Sequence, residues 1–147
     1  MPNIIFMYQG NDYYLAREVV CRKLTEAVAT VISLPEEIQI RFANLGESVY
    51  GATSLDARFK NRVNISYALS IPELPSVLVH ELIHLHQSST GMLRTTRDGR
   101  YFWNNRQVAA EPNKMTHEEY LRLPWEIDAS ERHATVLKEA LAYALKR

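Results

Sequence analysis

Between Pro72 and Gly91 the chain carries a stretch that, wound as a helix, is apolar over most of its circumference. At about 100° per residue, Glu73, Ser76, His80, Glu81, His84, Gln87 and Ser88 fall on one stripe. Leu78, Val79, Leu82, Ile83 and Leu85 take the rest. Pro72 and Pro75 suit its start and Gly91 its end. Such a helix is expected to be buried. Its polar stripe must then face a cavity, opposing charges or a metal, because buried ionisable groups need compensation.

The stripe contains the pattern HExxH, as His80-Glu81-Leu82-Ile83-His84. Two imidazoles one helical turn apart can reach a single Zn²⁺, and Glu81 beside the first can take a proton from metal-bound water. His86 lies about 120° away on the apolar face and is expected to be a packed histidine bonded to backbone or another side chain. Gln87 is on the His84 side, either donating a hydrogen bond within the site or serving as an ordinary polar helix-end residue.

Zinc in a hydrolase typically has three protein ligands and one open position. The third is expected from a final helix that begins at Pro124 and reaches Ala144 or beyond. There Glu126 shares an apolar stripe with Ala129, Val136, Leu137, Ala140 and Leu141, while Asp128 is expected to point to solvent. A carboxylate facing a core is costly unless paired or metal-bound. A favourable place at the helix N-terminus would explain an acidic residue there, but not its inward direction. Ser130, one turn on, can hydrogen-bond a ligand. His133, about 10 Å along the axis, is too far to share the metal and reads as a core histidine.

The remaining elements point to one α+β domain over residues 1–147. Ile4 to Tyr8 reads as a strand stopped by Gln9-Gly10, after which Asn11 or Asp12 caps a helix to about Ile32. Its apolar stripe is Ala16, Val20, Leu24, Ala27, Val28 and Val31. Ile38, Ile40 and Phe42 alternate with polar residues, as do Val63, Ile65 and Tyr67, so each set predicts a strand. Gly46 and Gly51 punctuate a further strand or irregular edge between them. Leu93–Thr96 and Tyr101–Trp103 form a hairpin around Arg97-Asp98-Gly99-Arg100, with a second turn at Asn104-Asn105. Thr116 and Glu119 match a capping box.

Lys+Arg and Asp+Glu both number 17, so net charge offers no argument for a nucleic-acid or anionic-membrane partner. A local basic patch around Arg94, Arg97, Arg100 and Arg106 is the exception. One cysteine, Cys21, cannot form an intrachain disulfide, which suits a reducing compartment. No apolar stretch approaches the ~18 residues needed to cross a bilayer. The start is too short for a signal-peptide core, so a cytoplasmic protein is expected. Nothing in the sequence sets an oligomeric state.

His80-Glu81-Leu82-Ile83-His84-Leu85-His86-Gln87, Arg100 to Arg106 and Leu123-Pro124-Trp125-Glu126-Ile127-Asp128-Ala129 together resemble small zincin-type metallopeptidases of phages and bacteria. The likeness covers about residues 60 to 135. It implies a gluzincin arrangement, with one zinc per chain held by His80, His84 and Glu126, and Glu81 as catalytic base. It also implies a compact zincin-like α+β domain. In it, a small mixed or antiparallel sheet packs on an N-terminal helix, the HExxH helix and the C-terminal glutamate-bearing helix. The expected reaction is hydrolysis of a peptide or protein substrate, with Tyr101 and Tyr120 as candidate donors to the oxyanion. The edge within Val49 to Tyr67 is a place for an extended substrate to pair. Peptide deformylase also uses HExxH but needs a cysteine ligand, and Cys21 reads as a buried apolar residue. The alternative is a non-catalytic zinc-binding regulatory or interaction module; the presence of Glu81 argues for catalysis.

Overall fold

The computed structural model describes residues 1–8, 15–54 and 61–146; the expected stop at Gln9-Gly10 and caps at Asn11 or Asp12 lie outside them. Strands β1 (Asn3–Tyr8), β2 (Glu37–Ala43), β3 (Gly51–Ser54) and β4 (Arg62–Ser66) form one sheet in the order β1-β2-β4-β3. Helices α1 (Leu15–Val28), α2 (Leu74–Ser89) and α4 (Pro124–Leu145) share a core with it. The fold is α+β, and the sheet is mixed. β1, β2 and β4 run parallel, while β3 runs antiparallel along the outside of β4.

Alternation explains the central strand. Ile38, Ile40 and Phe42 are fully buried while Gln39 and Arg41 between them are half-buried. In register, Ile40 faces Phe6 on β1 and Val63 on β4. Parallel neighbours need a crossover, which α1 supplies between β1 and β2. Leu24, Ala27 and Val28 of its expected stripe are buried, but Ala16 is exposed. The helix closes at Val28, short of Ile32, because the chain tightens there: Thr30 and Val31 donate to carbonyls only three residues back. Tyr67 falls just past β4 and is exposed.

A second sheet follows α2. Strands β5 (Leu93–Thr95), β6 (Tyr101–Trp103) and β7 (Arg106–Val108) form an antiparallel meander. Asn104 and Asn105 join the last two with φ of 49° and 67°, the left-handed pair that a tight hairpin turn requires and asparagine tolerates. Leu93, Leu123 and Trp125 make a separate buried cluster against Tyr101, Trp103 and Met115. Helix α3 (His117–Leu121) opens with the expected capping box: Glu119 N–H donates to Thr116 Oγ1 at 3.2 Å, and Thr116 N–H to Glu119 Oε1 at 3.4 Å. Pro124 then occupies the first turn of α4. Among the described residues, no helix is long and apolar enough to cross a membrane.

Gly51 sets how closely β3 approaches α2. A Cβ there would stand 2.7 Å from Val77 Cγ1 and 3.0 Å from Glu81 Cγ. Gly51→Ala should therefore push the edge strand off the helix and cost roughly 1–3 kcal/mol of stability, read as a lower denaturation midpoint. Cys21 offers an independent check of the core. Burial pushes its thiol up to about 12, against an ordinary 9.0. Folding thus holds the proton on, so this contribution is complete below the unfolded value and is lost as pH climbs from about 9 through 12. At pH 8 a thiol reagent should label one group per chain in denaturant and none in the native protein.

Candidate metal centre

Helix α2 brings His80 and His84 to one face, one turn apart, and α4 crosses so that Glu126 meets both. His80 Nε2 lies 3.2 Å from Glu126 Oε2, His84 Nε2 lies 3.0 Å from Glu126 Oε1, and the two Nε2 atoms are 3.1 Å apart. The three residues form a group that can hold a metal ion. Glu126 is 3% exposed, as its inward direction in the sequence predicts.

A side-chain amide fixes the chemistry of this triangle. Gln87 is fully buried, and its Nε2 donates to the Trp125 carbonyl at 2.9 Å and to Asp128 Oδ2 at 2.8 Å. Its Oε1 must then face His84 Nδ1, 2.8 Å away, and a carbonyl oxygen only accepts. The proton of a neutral His84 therefore sits on Nδ1, and Nε2 turns a lone pair towards Glu126 and His80. Lone-pair atoms so close repel unless a cation lies among them, either protons or a metal. Gln87 acts by accepting from His84, not by donating to it.

Asp128 corrects the sequence reading. It does not point to solvent: it is half-buried, accepting from Gln87 and from Arg132 Nη2 at 2.7 Å. The reason is rotational. The centre of the buried face of α4 runs through Ala129, Val136 and Ala140, about 50° round from Glu126 towards Asp128. The same rotation leaves Ser130 and Leu141 exposed. Ser130 hydrogen-bonds no ligand. His133 is not a core histidine: it is half-buried, its ring centre 6.3 Å from that of His80, with Nε2 donating to the Ser76 carbonyl at 2.9 Å. His86 behaves as expected, donating from Nδ1 to the Ser33 carbonyl at 2.7 Å.

Glu81 is buried beside the triangle. Thr53 Oγ1, on β3, is 2.9 Å from its Oε1 and 3.0 Å from its backbone carbonyl. Burial raises the Glu81 pKa, against the lowering effect of His84, His80 and Thr53. Glu126 behaves oppositely. Burial opposes its charge, but hydrogen bonds from His80, His84 and Tyr120 hold it well below the usual carboxylate range. For His84, burial disfavours the cation, yet the Glu126 hydrogen bond and the Glu126 and Glu81 charges outweigh it and raise the pKa. Tyr120 is raised by burial and by the Glu126 charge.

A cleft of about 440 Å³ opens over these groups, with Tyr50, Thr53, Tyr120 and His117 among its walls. Tyr120 thus reaches the site. Tyr101 does not: it stacks on Trp125, ring centres 5.3 Å apart, and lines a different cavity. Thr53, His117 and the Asp128–Arg132 pair were not foreseen. Thr53 is joined to Glu81 across 28 residues of sequence, a contact that local pattern does not carry.

Gln87→Leu should lower metal affinity about 10- to 100-fold by freeing the His84 ring, measured by competition against a chelator.

Comparison of the chain with protein-family models, with curated proteins and with solved structures gives no match.

Proposed function

We propose that the chain is a zinc-dependent peptide-bond hydrolase of the zincin type. The observation that carries this reading is the meeting of two imidazole nitrogens, 3.1 Å apart, with one carboxylate, whose Oε2 lies 3.2 Å from His80 and whose Oε1 lies 3.0 Å from His84, beside the buried Glu81. Two ligands at about 2.0–2.1 Å from a tetrahedral ion stand about 3.3–3.4 Å apart, so each of these pairwise spacings is close to that of two atoms sharing a zinc ion. Two imidazoles and a carboxylate are also a donor set that zinc favours. A helix bearing these histidines under a small mixed sheet, met by a downstream glutamate-bearing helix, agrees with a zincin-like arrangement.

Zinc held there supplies a Lewis acid that acidifies water and polarises a carbonyl. The chain supplies the rest. Glu81, kept basic by burial, takes the proton from the attacking water and delivers it to the leaving amine. The Tyr120 hydroxyl, in the cleft wall, is the donor assigned to the developing oxyanion. β3 guides the substrate. Because the Tyr50 carbonyl accepts from Ser66 N–H at 2.9 Å, the alternate residues Gly51 and Thr53 turn their backbone groups to the open edge. An extended peptide can pair there.

Purified protein should carry about one zinc per chain by elemental analysis, and Glu126→Ala should lose it. Glu81→Gln should keep the zinc yet lower the cleavage rate of a peptide library by at least about 100-fold. Zinc retention without hydrolysis of any peptide by the wild type would instead favour a non-catalytic zinc module.

A further inference from the structure

Strand β3 meets Glu81 at two points and leaves its two carboxylate oxygens in different settings. Thr53 Oγ1 stands 2.9 Å from Oε1 and 3.0 Å from the Glu81 carbonyl. Among the described residues, Oε2 has no hydrogen-bond partner. Beside it lies Gly51, where a Cβ would stand 3.3 Å from that oxygen. One oxygen is thus fastened by a hydroxyl, and the other has room where a side chain would crowd it. Glu81 lines the cleft already described and also an adjoining cavity of about 430 Å³, which runs past it to Ser130 and His133.

A hydroxyl carries one proton, so Thr53 serves one of its two acceptors fully at a time. An ionised carboxylate is the stronger acceptor and takes that proton at Oε1. When Glu81 holds a proton on Oε2, Oε1 becomes an ordinary carbonyl oxygen, and the hydroxyl can share its proton with the backbone carbonyl beside it. Thr53 therefore stays bonded to Glu81 in either form by turning about its Cβ–Oγ1 bond, with no movement of β3. The backbone of the same residue is one of the two on β3 turned to the open edge. A chain paired at that edge bonds to the main chain of the residue whose side chain holds Glu81.

We infer that Thr53 is a positioning residue: its hydroxyl fixes Glu81 by Oε1, leaving Oε2 as the oxygen that takes and returns the proton, and its peptide group sets an edge-paired substrate in register with that oxygen. The inference rests on the hydrolase reading. It requires the hydroxyl of Thr53, not the bulk of its side chain.

Comparing Thr53→Ser with Thr53→Ala tests it, because both lose the methyl group and only one keeps the hydroxyl. With zinc-loaded proteins and a peptide that the wild type cleaves, Thr53→Ala should lower kcat about 10- to 100-fold while KM and zinc content stay at the wild-type level. Thr53→Ser should recover most of that loss. Thr53→Val, which keeps the shape of the side chain, should behave as Thr53→Ala does, so a failure of either to fold leaves the other to be read. In a Glu81→Gln background, removing the hydroxyl should cost little further rate, since both changes act on one side chain. A Thr53→Ser protein as slow as Thr53→Ala, a change confined to KM or zinc content, or losses that multiply in the Glu81→Gln background would each overturn the inference. Peptide cleavage separates it from the reading beneath. A wild type that cleaves nothing sinks both, whereas a cleaving wild type whose Thr53→Ala variant keeps its kcat sinks the inference alone.

Discussion

A buried carboxylate between two imidazoles decides how α2 and α4 must meet. Glu126 has no solvent to neutralise it, so His80 and His84 have to arrive within hydrogen-bond distance of its two oxygens. That demand constrains how the two helices can cross. The Gln87 amide secures it, joining the Trp125 carbonyl and Asp128 on α4 to His84 on α2. One side chain therefore fixes both the register of the helix pair and the tautomer of a ligand. Trp125 is held in turn by Tyr101 stacked on it in the second cluster. The aromatic hairpin thus supports the site from outside through Tyr101 and lines the cleft through Leu93.

The supports of the two histidines are unequal. His84 sits at the end of a chain of hydrogen bonds running through Gln87 and Asp128 to Arg132. The Nδ1 of His80 has no hydrogen-bond partner among the described residues, and its side chain is 30% exposed on the wall of the cleft. The His84 ring is thus oriented through both of its nitrogens, the His80 ring through Nε2.

Much of this was legible because helical periodicity reports direction. The spacing of His80 and His84, the burial of α2 and the inward turn of Glu126 all follow from counting residues at about 100° each. What failed was what counting does not contain. An apolar stripe locates a face only to within a few tens of degrees, and the rotation of α4 was enough to bury half of Asp128, expose Ser130 and bring His133 into the cleft. Alternation in β2 and β4 named their buried faces but not their neighbours. Parallel pairing of β1, β2 and β4 depends on contacts far apart in sequence. β3 was hardest: its Gly-Ala-Thr-Ser has no alternation of burial and is positioned by β4 on one side and α2 beneath. The glycine that let it approach looked like punctuation.

Two buried carboxylates lie side by side in this site, and their surroundings divide the labour between them. Glu126 has three side chains set against it, His80, His84 and Tyr120, the two imidazoles donating to it when protonated, so its anion outlasts the cost of burial. Among the described residues Thr53 is the side-chain hydrogen-bond partner of Glu81, the histidines act on it through their charge, and burial prevails. The first is thereby a permanent negative anchor, suited to a cation. The second is a carboxylate reluctant to stay charged, which is what a proton carrier between water and an amine needs. Any cation bound in the triangle sharpens the contrast, because it touches Glu126 directly while Glu81 meets it only through what lies in the cleft. Exchanging the two glutamates' roles would require moving β3, since Thr53 and Gly51 together hold Glu81 close without giving it a charged partner.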